Sequence, residues 1–106
     1  MILELRQYRI FPGKRDEWVK FMEERLIPSV VAFGVVVVGS FISQDDEDVY
    51  IWIRRFEDEA HLEAYRTTYF AMDEWTNELL PRVQEMLDAP RMLVTRIEPT
   101  AKSVIR

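Results

Sequence analysis

VVVVGSFISQDDEDVYIWIRRF, residues 35–56, is the stretch that decides the architecture. Two apolar runs rich in β-branched and aromatic residues, 35–42 and 49–56, flank the polar segment SQDDED at 43–48. That is the pattern of a β-hairpin. A sheet with one face in water alternates apolar with polar residues along its strands. Neither run does so. Val35, Val37 and Phe41 stand opposite Val36, Val38 and Ile42, and Val49, Ile51 and Ile53 stand opposite Tyr50, Trp52 and Phe56. Both faces of this hairpin therefore need cover. Gly39, inside the first run, marks a bulge or a close backbone approach.

On the N-terminal side, residues 2–10 (ILELRQYRI) read as a strand, closed by Pro12-Gly13. A helical pattern follows, with Trp18, Phe21, Met22, Leu26, Val30 and Phe33 at steps of three and four. Gly34 suits the residue just past its end, and Pro28 is expected to kink or loosen the last turns. On the C-terminal side, Asp58 can cap a helix that carries Leu62, Tyr65 and Tyr69 along one face. Asp73-Glu74-Trp75 starts another turn or helix with Leu79, Val83 and Met86 or Leu87 inward, interrupted at Pro81. Residues 91–97 form a fourth strand, and 98–106 a polar tail.

The order βαββαβ, with right-handed crossovers, predicts a single α+β domain of ferredoxin-like type over residues 1–106. Its four-stranded antiparallel sheet should run 4-1-3-2, with two main helices on one face. Two helices cover one side only. A second copy of the same sheet is the simplest cover for the other, giving a homodimer in the form of a dimeric α/β barrel.

Composition narrows the chemistry. The chain of 106 residues has no cysteine, which removes disulfides, thiolate nucleophiles, thiolate zinc sites and iron–sulfur clusters. One histidine and no His-Glu-x-x-His leave few ligands for a protein-built metal site, and neither metal nor cofactor is expected. The acidic run Asp45–Asp48 lacks the glycine and the distant glutamate of a calcium-binding loop and reads as a solvated turn. No phosphate-binding loop, dinucleotide fingerprint or nucleophile elbow is present. The net charge of −5 makes nucleic acid and anionic membranes poor partners. No apolar run approaches the roughly 20 residues needed to span a bilayer. The first six residues mix acid and base where a signal peptide needs a continuous apolar core, so a cytoplasmic location is expected.

Three segments carry a family resemblance. MILELRQYRIFPGKRDEW, with Glu4, Leu5, Arg6, Tyr8, Pro12 and Gly13, resembles the opening of the NIPSNAP family. VYIWIRRFEDEAHLEAYR, with Trp52 before Arg-Phe-Glu, and DEWTNELLPRV, with Asp73-Glu74-Trp75 and Pro81-Arg82-Val83, resemble its later segments. The resemblance covers most of the chain and implies a ferredoxin-like domain pairing into a dimeric barrel. The wider superfamily includes cofactor-free antibiotic-biosynthesis monooxygenases, haem-degrading oxygenases and small stress-response proteins. NIPSNAP-like proteins carry no settled activity that transfers. Many members have a histidine two residues before the strand-3 tryptophan, where this chain has Tyr50.

Glu4, Arg6 and Tyr8 share one face of the first strand, and Tyr50, Trp52 and Arg54 one face of the third. These strands are neighbours in the expected order. One reading is a pocket in which Arg54 or Arg6 holds an anionic oxygen while tyrosine and tryptophan stack a planar ligand, with Tyr65 beside them. The other is a Glu–Arg cross-strand pair beside aromatics buried at the dimer interface. His61 is the only side chain that titrates near neutral pH unperturbed, which makes it a candidate base if it faces the sheet alongside Tyr65. The haem-degrading relatives suggest it as an axial ligand. The plain reading is an exposed residue in the first turns of an acidic helix.

Binding of a small hydrophobic or aromatic metabolite is the leading functional expectation, with a cofactor-independent monooxygenase as the alternative and a partner scaffold as the third. An RNA-recognition module shares the topology, and Tyr8, Tyr50 and Trp52 superficially fit its base-stacking positions. The acidic charge and the missing basic Gly-aromatic signature speak against it.

Overall fold

The computed structural model describes residues 1–105. Strands β1 (Ile2–Arg9), β2 (Val36–Ile42), β3 (Val49–Phe56) and β4 (Leu93–Ile97) form one antiparallel sheet in the order β2-β3-β1-β4. This is the expected order, and the hairpin lies where residues 35–56 place it. The fourth strand starts later than its sequence implies, because Ala89–Arg91 winds into a 3₁₀ turn after Pro90 enters.

The first crossover is helical from Arg15 to Ala32. α1 (Arg15–Phe21) runs into a π-helical stretch, Met22–Leu26, and then into α2 (Ile27–Ala32), with Pro28 in its first turn. The second crossover repeats the device. After α3 (Glu59–Thr68), a π-helical stretch Glu74–Leu79 leads into α4 (Leu80–Met86), again with a proline, Pro81, in the first turn. A helical proline has no N–H and its ring presses on the carbonyl four residues back. Those carbonyls belong to Glu24 and Asn77, inside the wider π turns. The prolines therefore loosen the helices without breaking them, and Pro81 does not cut its segment into separate pieces. The second crossover holds two helices rather than one, so three helical segments cover the sheet.

Local signals are satisfied where the sequence carries them. The Asp58 side chain accepts the His61 backbone N–H at 2.8 Å and caps α3. Gly34 takes φ +105 just past α2, a conformation that costs glycine little. Trp18, Met22, Val30, Leu79 and Met86 are fully buried between helices and sheet.

The register assigns the faces. Glu4 pairs with Arg54, Arg6 with Trp52 and Tyr8 with Tyr50, and all six side chains lie on the helix-covered side. The opposite face presents Leu5, Ile51, Ile53, Phe41 and Leu93, and no helix covers it. Phe41 and Leu93 stand 48% and 59% exposed there, while Leu3 is buried within the chain. The expected grouping of β2 side chains needs one correction. A bulge between Val37 and Gly39 inserts an extra residue, so Val37 faces the helices with Arg54 whereas Phe41 faces outward with Ile51. Gly39 is where the alternation reverses, as its position suggested. Among the described residues, no helix is long and apolar enough to cross a membrane.

Candidate functional site

β1 carries charge into the space between sheet and helices, and β3 answers it. The Glu4 carboxylate accepts from two guanidiniums on one oxygen: Arg6 Nε donates at 2.8 Å, and Arg54 Nη2 donates from across the strand pair. Arg54 Nη1 donates to the Tyr65 hydroxyl at 2.7 Å, reaching α3. The guanidinium carbon of Arg54 lies 4.7 Å from the Tyr65 ring centre and 5.0 Å from that of Trp52, within cation–π range. Tyr8 continues the network. Its hydroxyl oxygen accepts from Trp52 Nε1 at 2.9 Å and from Arg6 Nη1 at 3.1 Å. One connected chain thus runs Tyr65–Arg54–Glu4–Arg6–Tyr8–Trp52 beneath the helices.

The chain ends at a cavity. A space of about 170 Å³ lies between β1 and the first and last helical segments. Arg6 and Tyr8 line it together with Trp18, Leu26, Trp75, Val83, Leu87 and Met92, and the surface they offer is almost wholly apolar. An apolar enclosure with a few convergent polar groups is the usual form of a small-molecule site. A wider groove of about 600 Å³ runs beside edge strand β2, where Tyr50, Val19, Ile27 and Phe41 meet Glu23. Glu23, Ser40 and Tyr50 give it polar walls, but it lies open beside the edge strand. The smaller cavity adjoins the buried network through Arg6 and Tyr8 and is the stronger candidate for an apolar ligand.

Two arginines and one glutamate meet in this cluster, and a buried charge without a partner is costly. Burial alone would raise the Glu4 carboxyl, but Arg54 and then Arg6 more than offset it and hold the group below the usual carboxylate range. Burial works against the Arg6 charge in turn, and Tyr8 and Glu4 outweigh it, so Arg6 is held firmly protonated. Burial pushes the Tyr65 phenol up to about 12, against the pull of Arg54. Tyr65 therefore meets Arg54 as a neutral acceptor. The cluster carries a net charge of +1 at neutral pH.

The sequence-derived candidates divide among these places. Tyr8 walls the cavity directly. Trp52, Arg54 and Tyr65 stand behind it and orient Arg6 and Tyr8 through the hydrogen bonds above. Tyr50 lies on the groove side, with its hydroxyl against Ser40. Tyr8, Tyr50, Trp52 and Arg54 sit under the chain's own helices and Tyr65 reaches them from α3, which removes the alternative of aromatics packed at a dimer interface. The same placement takes Tyr8, Tyr50 and Trp52, each at most 5% exposed, away from the open sheet face on which an RNA-recognition module stacks bases. His61 stands apart. Its Nδ1 accepts the Glu57 backbone N–H at 3.0 Å, and its ring rests on Phe56 at the start of α3. Trp18, Trp75 and Met92 are cavity residues that site reasoning from sequence passed over. Trp18 carried only the helical signal shared by every core position, and Trp75 was legible only as part of a helix start and of the family resemblance.

The family model for NIPSNAP matches residues 3–102. Among solved structures, an uncharacterised NIPSNAP domain protein of Burkholderia xenovorans superposes with a TM-score of 0.84 at 21% identity, covering 97% of this chain and 98% of that one. A NIPSNAP family protein of Agrobacterium tumefaciens gives 0.85 at 22%, with 99% and 98% covered. An antibiotic biosynthesis monooxygenase is more distant, with 0.67 at 19% and coverage of 94% and 99%. No curated protein matches the chain. At these identities the structural likenesses speak to the fold.

Proposed function

The chain belongs to the NIPSNAP family, and on that premise we propose that it works as a homodimer whose subunits each bind a small hydrophobic or aromatic metabolite without a bound cofactor. The binding place is the cavity between β1 and the helices. The observation that carries this reading is an apolar, aromatic-walled space of about 170 Å³ beside the hydrogen-bonded network that Arg6 and Tyr8 belong to. Dimerisation is supported by the uncovered apolar face of the sheet, where Phe41, Ile51, Ile53 and Leu93 would pack against their copies. Contiguous apolar surface of this kind marks an interaction site. The lack of cysteine suits a reducing compartment, and the reading places the protein in the cytoplasm.

Native mass spectrometry of the purified protein tests both halves at once. The expected spectrum is a dimer, with an adduct of small mass that is lost on denaturation. A monomer at micromolar concentration would overturn the dimer.

A second reading has its own observation. The Tyr8 oxygen, on the cavity wall, is fixed by two N–H donors, from Trp52 and Arg6. Together with the likeness of fold to an antibiotic biosynthesis monooxygenase, this suits a cofactor-independent oxygenase in which Tyr8 positions an electron-rich phenol or enol and dioxygen is the oxidant. His61 is the weaker candidate, since it sits at the start of α3 with its Nδ1 engaged and is not among the residues that line the cavity.

A further inference from the structure

The polar groups at the margin of the cavity are already engaged with one another. Arg6 donates from Nε to Glu4, and from Nη1 to the Tyr8 oxygen and, at 3.5 Å, to the Met92 sulfur. Its side chain is 20% exposed, so solvent rather than the cavity meets its remaining charge. The Tyr8 oxygen accepts from Trp52 Nε1 and from Arg6 Nη1. A phenolic oxygen has two lone pairs to offer, and both are taken. The Trp18 N–H is buried and does not reach the cavity surface.

What a guest meets is therefore an almost wholly apolar wall. A ligand hydroxyl finds no free acceptor, and a ligand carboxylate finds no free donor. Either group would leave its water without replacement, which is costly for a hydroxyl and far more so for a charge. A cation would meet the guanidinium of Arg6. Size sets a further limit. An apolar cavity of about 150 Å³ stays dry and holds one benzene molecule. The cavity here, at about 170 Å³, admits a single six-membered ring with one small substituent.

We infer that the cavity selects an uncharged single ring that carries no hydrogen-bond donor, and that it rejects phenols and carboxylates of the same size. This rests on the proposed binding role and narrows it to a chemical class. It also sets the two functional readings apart, because an oxygenase of the kind described above needs a substrate that brings a phenol or enol O–H to Tyr8. The network beside the cavity then serves to hold Arg6 and Tyr8 away from the guest, with their hydrogen bonds spent on each other and on Glu4 and Trp52.

The test compares toluene, phenol and benzoate at neutral pH by calorimetric titration of the full chain. The wild-type protein should bind toluene at least tenfold more tightly than phenol, and benzoate more weakly still. A phenol or benzoate affinity within tenfold of that of toluene would overturn the inference while leaving the cavity as a ligand site. Failure of all three probes to bind would overturn the binding role itself. Val83→Phe adds a ring to the cavity wall and should abolish toluene binding. Toluene binding unchanged in that variant would place the site elsewhere and overturn the inference. The wild-type comparison needs no variant, so the selectivity result stands even if Val83→Phe does not fold.

Discussion

Glu4 is the residue on which the buried cluster depends, since both guanidiniums donate to one of its oxygens. Removing one partner of a buried ion pair leaves an uncompensated charge and costs about 3–5 kcal/mol. Glu4→Gln should lose stability of that order at neutral pH, because it strands two cations. The pH dependence gives a second readout. Burial would raise the Glu4 carboxyl, yet Arg54 and Arg6 hold it below its ordinary value of 4.5. A depressed carboxyl contributes its stability above the unfolded value, and that contribution disappears as pH falls through the folded one. Wild-type stability in urea should therefore drop as the pH is taken below 4.5, and Glu4→Gln should drop less over the same range. Parallel curves for the two proteins would mean that Glu4 is not the group responsible. The pairing of Glu4 with Arg54 was legible in the sequence from strand order and alternation. That it lies beneath α3, with Arg54 among aromatic rings, was not, since alternation leaves open which face the helices cover.

At the scale of elements, the bulge in β2 decides where the hairpin sends its side chains. Gly39 faces outward beside Phe41, and the Phe41 ring lies over it: a Cβ added at Gly39 would fall 2.4 Å from Phe41 Cε2. The glycine thus makes room for an aromatic ring laid along its own strand. Gly39→Ala should evict that ring, which is 48% exposed and free to swing toward solvent, and so cost no more than about 1 kcal/mol. Adding Phe41→Ala should remove the alanine penalty, so a double-mutant cycle by urea unfolding should show coupling of that size. Additive effects would separate the two residues and assign Gly39 to the backbone of the bulge alone. The caps at Asp58 and Gly34 and the bulge near Gly39 were all readable because each rests on a local backbone requirement. The π turns before Pro28 and Pro81 were not. A proline announces a disturbance without saying whether the helix breaks or widens.

For the whole molecule, the sheet has a helix-covered face that holds the cavity and an open face that holds none of its residues. If the open face is where two copies meet, charge placed there should separate them without disturbing the site. Ile51→Asp together with Leu93→Asp puts two carboxylates into the row that pairs Phe41, Ile51, Gln7 and Leu93 across the sheet. Sedimentation velocity should show a dimer for the wild-type chain and a monomer for the variant, with far-ultraviolet circular dichroism unchanged. A variant that stays dimeric would place the interface elsewhere.

The element order, the hairpin, the strand order and the family resemblance all followed from the sequence, because turns, caps and periodicity depend on neighbours a few residues apart. An apolar sheet face left open by the helices followed too, since Val49, Ile51 and Ile53 alternate with Tyr50, Trp52 and Phe56 along β3. Tertiary structure alone decided which face the helices took, and so sent Tyr8, Trp52 and Arg54 inward instead of into an interface. A two-residue period defines two faces without labelling them, and where both are apolar only packing against the helices breaks the tie. The cavity belongs to the same class. It is the volume left over when Trp18, Trp75 and Met92, far apart in sequence, pack against Arg6 and Tyr8, and a pattern that marks each of them as inward contains no measure of what remains between them.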